Sequence, residues 1–120
     1  MAADGPMPPT PITLDDFFKV DVRAGTVVSA EWNRGARKPA YVLHIDFGPE
    51  LGVRASSAQI SQCHPLDELV GTQVLAVVNF SPVRVAGVKS EVLTLGVVEP
   101  DGRVVLVRPA LRVANGARLA

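Results

Sequence analysis

From Val20 to the C-terminus the chain is a succession of short, valine-rich runs broken by glycine, proline and asparagine. Runs of that length and branching fit a pleated surface and are poor material for stable helices. The segments expected as strands are Val22 to Trp32, Tyr41 to Phe47, Val53 to Ala58, Gln73 to Phe80, Lys89 to Val98 and Val104 to Val107. Between Tyr41 and Phe47 the alternation puts Tyr41, Leu43, Ile45 and Phe47 on one face and Val42, His44 and Asp46 on the other. Gly25, inside the first long run, suggests a bulge or tight bend that lets the strand curl. Glu99-Pro100-Asp101-Gly102, between two valine-rich runs, reads as a hairpin turn.

Two short helical stretches are expected. Thr13 to Lys19 begins with a residue whose hydroxyl can accept from the backbone N–H three positions on, and Asp15 and Asp16 suit the positive end of the helix dipole. Leu14, Phe17 and Phe18 give it one apolar face, which must close the end of a sheet or meet a partner subunit. Pro65 to Leu69 suits a single turn, with proline at its first position. At 120 residues there is room for one core and no second domain. Closing a small sheet removes exposed edges, so the expected class is all-β: a barrel with a flanking helix and additional terminal strands. Five strands with a helical interruption midway describe the oligonucleotide/oligosaccharide-binding (OB) fold, although the pattern by itself leaves other small barrels open. Residues 1–12, with Asp4 and several prolines, are expected to be a flexible tail, and residues 13–120 the domain.

Lysine and arginine total 12 and aspartate and glutamate 12, so no global positive field captures nucleic acid. Any such role needs charge segregated along the chain. Arg34, Arg37 and Lys38 lie in an acid-free stretch from Trp32 to His44, Arg84 and Lys89 in another from Leu69 to Ser90, and Arg103, Arg108, Arg112 and Arg118 follow the last acid, Asp101. Loops at one end of a barrel can bring the first two clusters together towards phosphates, while solvated loop charges are the plainer reading. Ser56, Ser57 and Gln59, Asn79, and Ser90 with Glu91 stand at strand ends, where they can serve a ligand or cap a turn. Trp32 and Phe80 are the aromatic residues best placed to stack on a base.

Other chemistries have less support. His44, Cys63 and His64 do not have the spacing of a zinc site, and no metal is expected. Cys63 with a histidine, or Ser90 beside Lys89, are dyads that any small protein offers, so no catalytic centre is expected. No window reaches the roughly 18 apolar residues of a membrane span, and no basic start precedes an apolar stretch as in a signal peptide. No membrane insertion is therefore expected. Cys63 is the single cysteine, in keeping with a reducing compartment, and the expected location is cytoplasmic.

The segments Val22-Arg23-Ala24-Gly25-Thr26-Val27, Ala36-Arg37-Lys38-Pro39-Ala40, Ile45-Asp46-Phe47-Gly48, Ser56-Ser57-Ala58-Gln59-Ile60, Val77-Val78-Asn79-Phe80 and Ala86-Gly87-Val88-Lys89-Ser90-Glu91-Val92-Leu93 resemble, in order and spacing, CsaA-like proteins of the tRNA-binding-domain superfamily. The resemblance runs from about Thr13 to Leu119 and implies an OB-type barrel, a homodimer, no cofactor and no catalytic centre. It implies an export-related chaperone for unfolded or precursor polypeptides, or else a protein whose main role is binding tRNA without reading its sequence. The tRNA-facing set it implies is Lys38, Ser56, Ser57, Gln59, Asn79, Arg84, Lys89 and Ser90. Val83 stands where relatives tend to carry a second basic residue, and Val88 where an aromatic often precedes the lysine, so the implied hold on tRNA is weak.

Overall fold

The computed structural model describes residues 9–120, so most of the expected tail, residues 1–8, lies outside the described residues. Nine strands follow one short helix, α1 (Leu14–Phe18): β1 (Val22–Trp32), β2 (Tyr41–Asp46), β3 (Val53–Ala58), β4 (Gln73–Val77), β5 (Val83–Val85), β6 (Val88–Ser90), β7 (Leu93–Thr94), β8 (Gly96–Val98) and β9 (Val104–Leu106). A 3₁₀ turn, Leu66–Glu68, interrupts them between β3 and β4. The main sheet has the antiparallel order β3-β2-β1-β4-β7, with β5-β6 and β8-β9 as separate hairpins. Its two edges approach each other: Glu91 N donates to Ala55 O at 2.8 Å, Ala55 N to the Glu91 carboxylate at 3.0 Å, and Thr94 Oγ1 to Ser56 Oγ at 2.8 Å. The result is a nearly closed five-stranded OB barrel with one small helix and extra strands.

The inward face of β2 follows the alternation of its sequence. Tyr41, Leu43 and Ile45, with Phe47 just beyond, are buried together with Val27, Val74 and Ala76, while Ile60, Leu69 and Leu106 close the core. Burying side chains of this size stabilises the fold by about 1.5–3 kcal/mol each. The long strand β1 is shared by two neighbours. Residues 26–32 pair with β2, whereas at Val22 and Ala24, beyond the reach of β2, β1 is bonded to the C-terminal segment: Ala24 N to Ala117 O, Gly116 N to Ala24 O, and Leu119 N to Val22 O. The buried Gln73 amide holds that segment, donating to Val113 O at 2.7 Å and accepting from Val113 N at 2.9 Å.

Four expectations are revised. The register slips between Val27 and Ser29, so the bulge lies past Gly25. Gly25 itself is a point of close approach, where a Cβ would stand 2.5 Å from Ile45 Cγ2 and 2.8 Å from the Phe47 ring. The run from Gln73 stops at Val77, and beyond it Val78 N and the Asn79 side chain bond to the segment before β1. The run from Lys89 to Val98 divides into β6, β7 and β8, because it meets β5, β4 and β9 in turn, with Glu91 and Val92 turning onto Ala55. Finally, Thr13 Oγ1 accepts from Asp16 N as expected, and Asp16 returns a bond to Thr13 N that completes a capping box; of the two alternatives for the apolar face, Leu14, Phe17 and Phe18 do not close the barrel but remain exposed.

Candidate functional site

The β5-β6 hairpin is built on a two-residue turn with positive φ at both Ala86 (49°) and Gly87 (84°), the handedness that matches the twist of paired strands. In this register Arg84 lies directly opposite Lys89, so the two side chains leave the same face. Among the described residues neither cation has a carboxylate within 4.0 Å, and Arg84 Nη1 finds only the Gly87 carbonyl, at 3.3 Å. Like charges directly opposite each other cost a hairpin a few tenths of a kcal/mol to about 1 kcal/mol. An anion seated between them reverses that cost.

The tip of the hairpin rests on the loop between β1 and β2. Asn33, buried, donates from Nδ2 to Val85 O at 3.4 Å, and Gly35 passes so close to Ala86 O that a Cβ would lie 2.7 Å from it. This contact joins the two basic stretches, since Arg34, Arg37 and Lys38 extend from the same loop and all are exposed. Lys38 and Gln59 share a cavity of about 220 Å³ with Ser61, Gln62, Gly102 and Val104. Pattern reading gave no sign of Ser61 or Gln62, which lie in a turn without periodicity.

The opposite face of the hairpin is apolar. Val83 and Val85, alternating with Arg84, line a groove of about 420 Å³ together with Phe80, Val92, Leu93, Ser57 and Ser90. Phe80 is 53% exposed and Leu93 49%, although both are large apolar side chains. Trp32, the other aromatic candidate, is half-exposed and packs edge-on against Tyr41 at a centroid distance of 4.8 Å.

The expected polar set therefore divides. Lys38, Gln59, Arg84 and Lys89 are exposed, and Ser57 lies on the groove wall. Ser56 is fully buried and accepts from Thr94. Ser90 Oγ accepts from Ser57 N and donates to Val92 O. Asn79 donates from its amide to Lys19 O at 2.8 Å and accepts from Asp21 N at 3.0 Å, tying α1 to the end of β4. These three side chains hold the barrel edge and the helix.

The histidines are separate. His44 Nδ1 lies 3.1 Å from Ser29 Oγ on the outer face of the sheet, whereas His64 Nε2 accepts from Leu106 N at 3.1 Å. Among the described residues no group of three or more metal-ligating side chains forms. No helix among them is long and apolar enough to cross a membrane. Burial, reinforced by the Arg108 charge, lowers the His64 pKa, and a protonated ring cannot accept the Leu106 bond. A histidine held neutral contributes stability above its unfolded pKa, near 6.5, and that contribution is lost as pH falls through the lower folded value. The unfolding midpoint is expected to fall below about pH 6.5 in the wild type, and that part of the fall to disappear in His64→Gln. An identical profile in the two proteins would refute the assignment. Asp21, held below the ordinary carboxylate range by its bond from Arg23, adds losses only at more acid pH.

The chain matches the model of the family described as "Putative tRNA binding domain" over residues 22–118. Among solved structures it is similar to chaperone CsaA from Bacillus anthracis, with 49% identity and a TM-score of 0.87 over 92% of this chain and 100% of that one. The CsaA chaperone protein from Picrophilus torridus is 42% identical, with a TM-score of 0.85 and the same coverage. Among curated proteins, methionine–tRNA ligase from Methanococcoides burtonii is 36% identical over 98 residues, which make up 82% of this chain and 14% of the ligase. The chain spans about one seventh of the length of the curated relatives it matches.

Proposed function

The chain belongs to the tRNA-binding domain family, and from that membership we propose that it is a CsaA-like, non-enzymatic binding protein that holds tRNA through backbone phosphates without reading its sequence. The observation that carries this reading is the in-register pair Arg84 and Lys89, two unpaired cations on one face of a hairpin packed against the loop of Arg34, Arg37 and Lys38. Unpaired cations on an exposed hairpin and loop suit phosphate oxygens, which carry no sequence information. Val83 and Val88 replace a further cation and an aromatic, so the hold is modest.

The groove behind the hairpin favours a second role on the same domain, an export-related chaperone for unfolded or precursor polypeptides. Phe80, Val83, Val85 and Leu93 offer an extended apolar segment a preformed, mainly apolar surface. Similarity to two CsaA chaperones over the whole of those chains supports it. A homodimer fits the exposed apolar face of α1, and Cys63, a free thiol, fits a cytoplasmic location.

Titration against total tRNA and against an unfolded precursor polypeptide at two salt concentrations tests both roles. Between about 50 and about 200 mM salt, tRNA affinity is expected to fall on the order of 10- to 100-fold, while polypeptide affinity changes little. Salt-independent tRNA binding would refute the phosphate reading. Failure to slow aggregation of an unfolded client would refute the chaperone role.

A further inference from the structure

The four arginines after Asp101 have different fates in the fold. Arg103 Nε pairs with Asp101 at 2.8 Å, and Arg118 is held by Asp21 at 3.5 Å and by Phe18 O at 2.9 Å. Arg108 and Arg112, among the described residues, have no carboxylate within 4.0 Å, and both line one small cavity of about 140 Å³ between the start of β4 and the segment after β9. We propose that this cavity is a second phosphoryl-binding site, distinct from the β5-β6 hairpin, which takes a phosphodiester of the same RNA strand; it rests on the RNA reading above.

The segment that carries the two arginines is anchored at both ends. Leu106 N donates to His64 and Val107 N to Leu95 O on one side, and Val113 is held by both ends of the buried Gln73 amide on the other. Pro109 restricts the backbone between them. Arg112 Nη1 reaches Gly71 O at 3.4 Å, a long bond that orients the guanidinium and leaves most of its donors free. A backbone segment fixed at both ends loses little freedom when an anion binds to the side chains it carries. At about 140 Å³ the cavity lies below the roughly 300–1,000 Å³ of pockets that enclose drug-sized ligands. It suits a single oxyanion held by two guanidinium forks. The uncancelled charge of Arg108 is felt at His64, where it helps to keep the ring neutral.

The two cavities are linked by one short segment of chain. The Lys38 and Gln59 cavity includes Val104 at the start of β9, and Arg108 follows four residues later, about 13 Å along an extended chain. An RNA strand covers that distance in a few nucleotides. A strand leaving the Lys38 loop would pass the Gln62 to His64 turn and reach Arg108 and Arg112. Asp67 and Glu68, on the neighbouring 3₁₀ turn, form no ion pair with either arginine.

The experiment measures tRNA affinity against salt for the wild type, for Arg108→Gln/Arg112→Gln and for Arg84→Gln/Lys89→Gln. Two lost phosphate contacts are expected to reduce the slope of log K against log salt by about 1.4 to 1.8 in each double variant. An Arg108→Gln/Arg112→Gln protein with the wild-type slope, beside a weakened Arg84→Gln/Lys89→Gln protein, would overturn the second site and leave the proposed function standing. If the wild type binds no tRNA, the proposed function fails, and pyrophosphate decides the site by itself. Saturable shifts of the Arg108 and Arg112 Nε–H resonances on adding pyrophosphate to the wild-type protein support the site. No shift overturns it, and this arm does not depend on how the variants fold.

Discussion

Reversing both charges on the β5-β6 hairpin, in Arg84→Glu/Lys89→Glu, is expected to lower tRNA affinity on the order of a hundredfold at low salt. Two cationic contacts are lost and two repulsive charges face the phosphates, where each charge-assisted contact contributes about 1.5–3 kcal/mol. The fold is expected to survive, because both side chains are exposed and neither bonds to another side chain. The single variant Arg84→Glu separates binding from stability more sharply. It converts a like-charged cross-strand pair into an opposite-charged one, so the hairpin gains a few tenths of a kcal/mol while RNA binding falls. Filter retention of tRNA and thermal unfolding read the two effects independently. Unchanged retention in the double variant would show that the hairpin does not face RNA. Its ability to slow client aggregation is expected to persist, since Val83, Val85 and Phe80 lie on the opposite face.

Gly25→Val is expected to be the most destabilising single change in the barrel. Gly25, paired with Val74 of β4, lies against the side chains of Ile45 and Phe47, both fully buried in the core. A Cβ there would stand at 2.5 Å from Ile45 and 2.8 Å from Phe47, well inside contact distance. Those side chains are enclosed, so they cannot move aside without displacing the rest of the core. Overpacking of this kind costs about 1–3 kcal/mol for one added methyl. Gly25→Ala is expected to show that loss, and Gly25→Val a larger one, against a total stability of about 5–15 kcal/mol for a domain of this kind. Chemical denaturation of the purified variants measures both. An unfolding midpoint for Gly25→Ala equal to that of the wild type would mean that the barrel has room the structure does not contain.

The alternation of Tyr41, Leu43, Ile45 and Phe47 was legible in the sequence because a strand with one buried face repeats every two residues, and the core takes all four. The bounds of β1 and β3 were legible from their strand-forming runs, the Thr13 cap from a hydroxyl three residues before Asp16 N, and the Glu99 to Gly102 turn from its proline, aspartate and glycine. The β5 strand was not legible. Its three residues, Val83 to Val85, follow a proline and precede Ala86, which adopts a positive φ uncommon for a residue with a Cβ. Nor could periodicity show that the run from Lys89 to Val98 has three successive partners, because valine alternates in the same way beside any neighbour.

By itself the sequence determined the β character of the barrel and a short capped helix before it, and it located the basic residues in acid-free stretches. Those properties are local: they depend on side-chain period, turn chemistry and charge order within a few residues. Only the tertiary structure decided which of those charges are free. It neutralised Arg103 and Arg118 with Asp101 and Asp21, left Arg108 and Arg112 beside one cavity, and set Arg84 opposite Lys89 on a hairpin packed against the Lys38 loop. It also committed Ser56, Asn79 and Ser90 to internal bonds. Pairing of a charge or a hydroxyl depends on what lies within 3 to 4 Å of it; Arg103 finds Asp101 two residues away, whereas the partners of Arg118, Ser56 and Asn79, and the Ser57 N–H that bonds Ser90, are distant in sequence and near only in the fold.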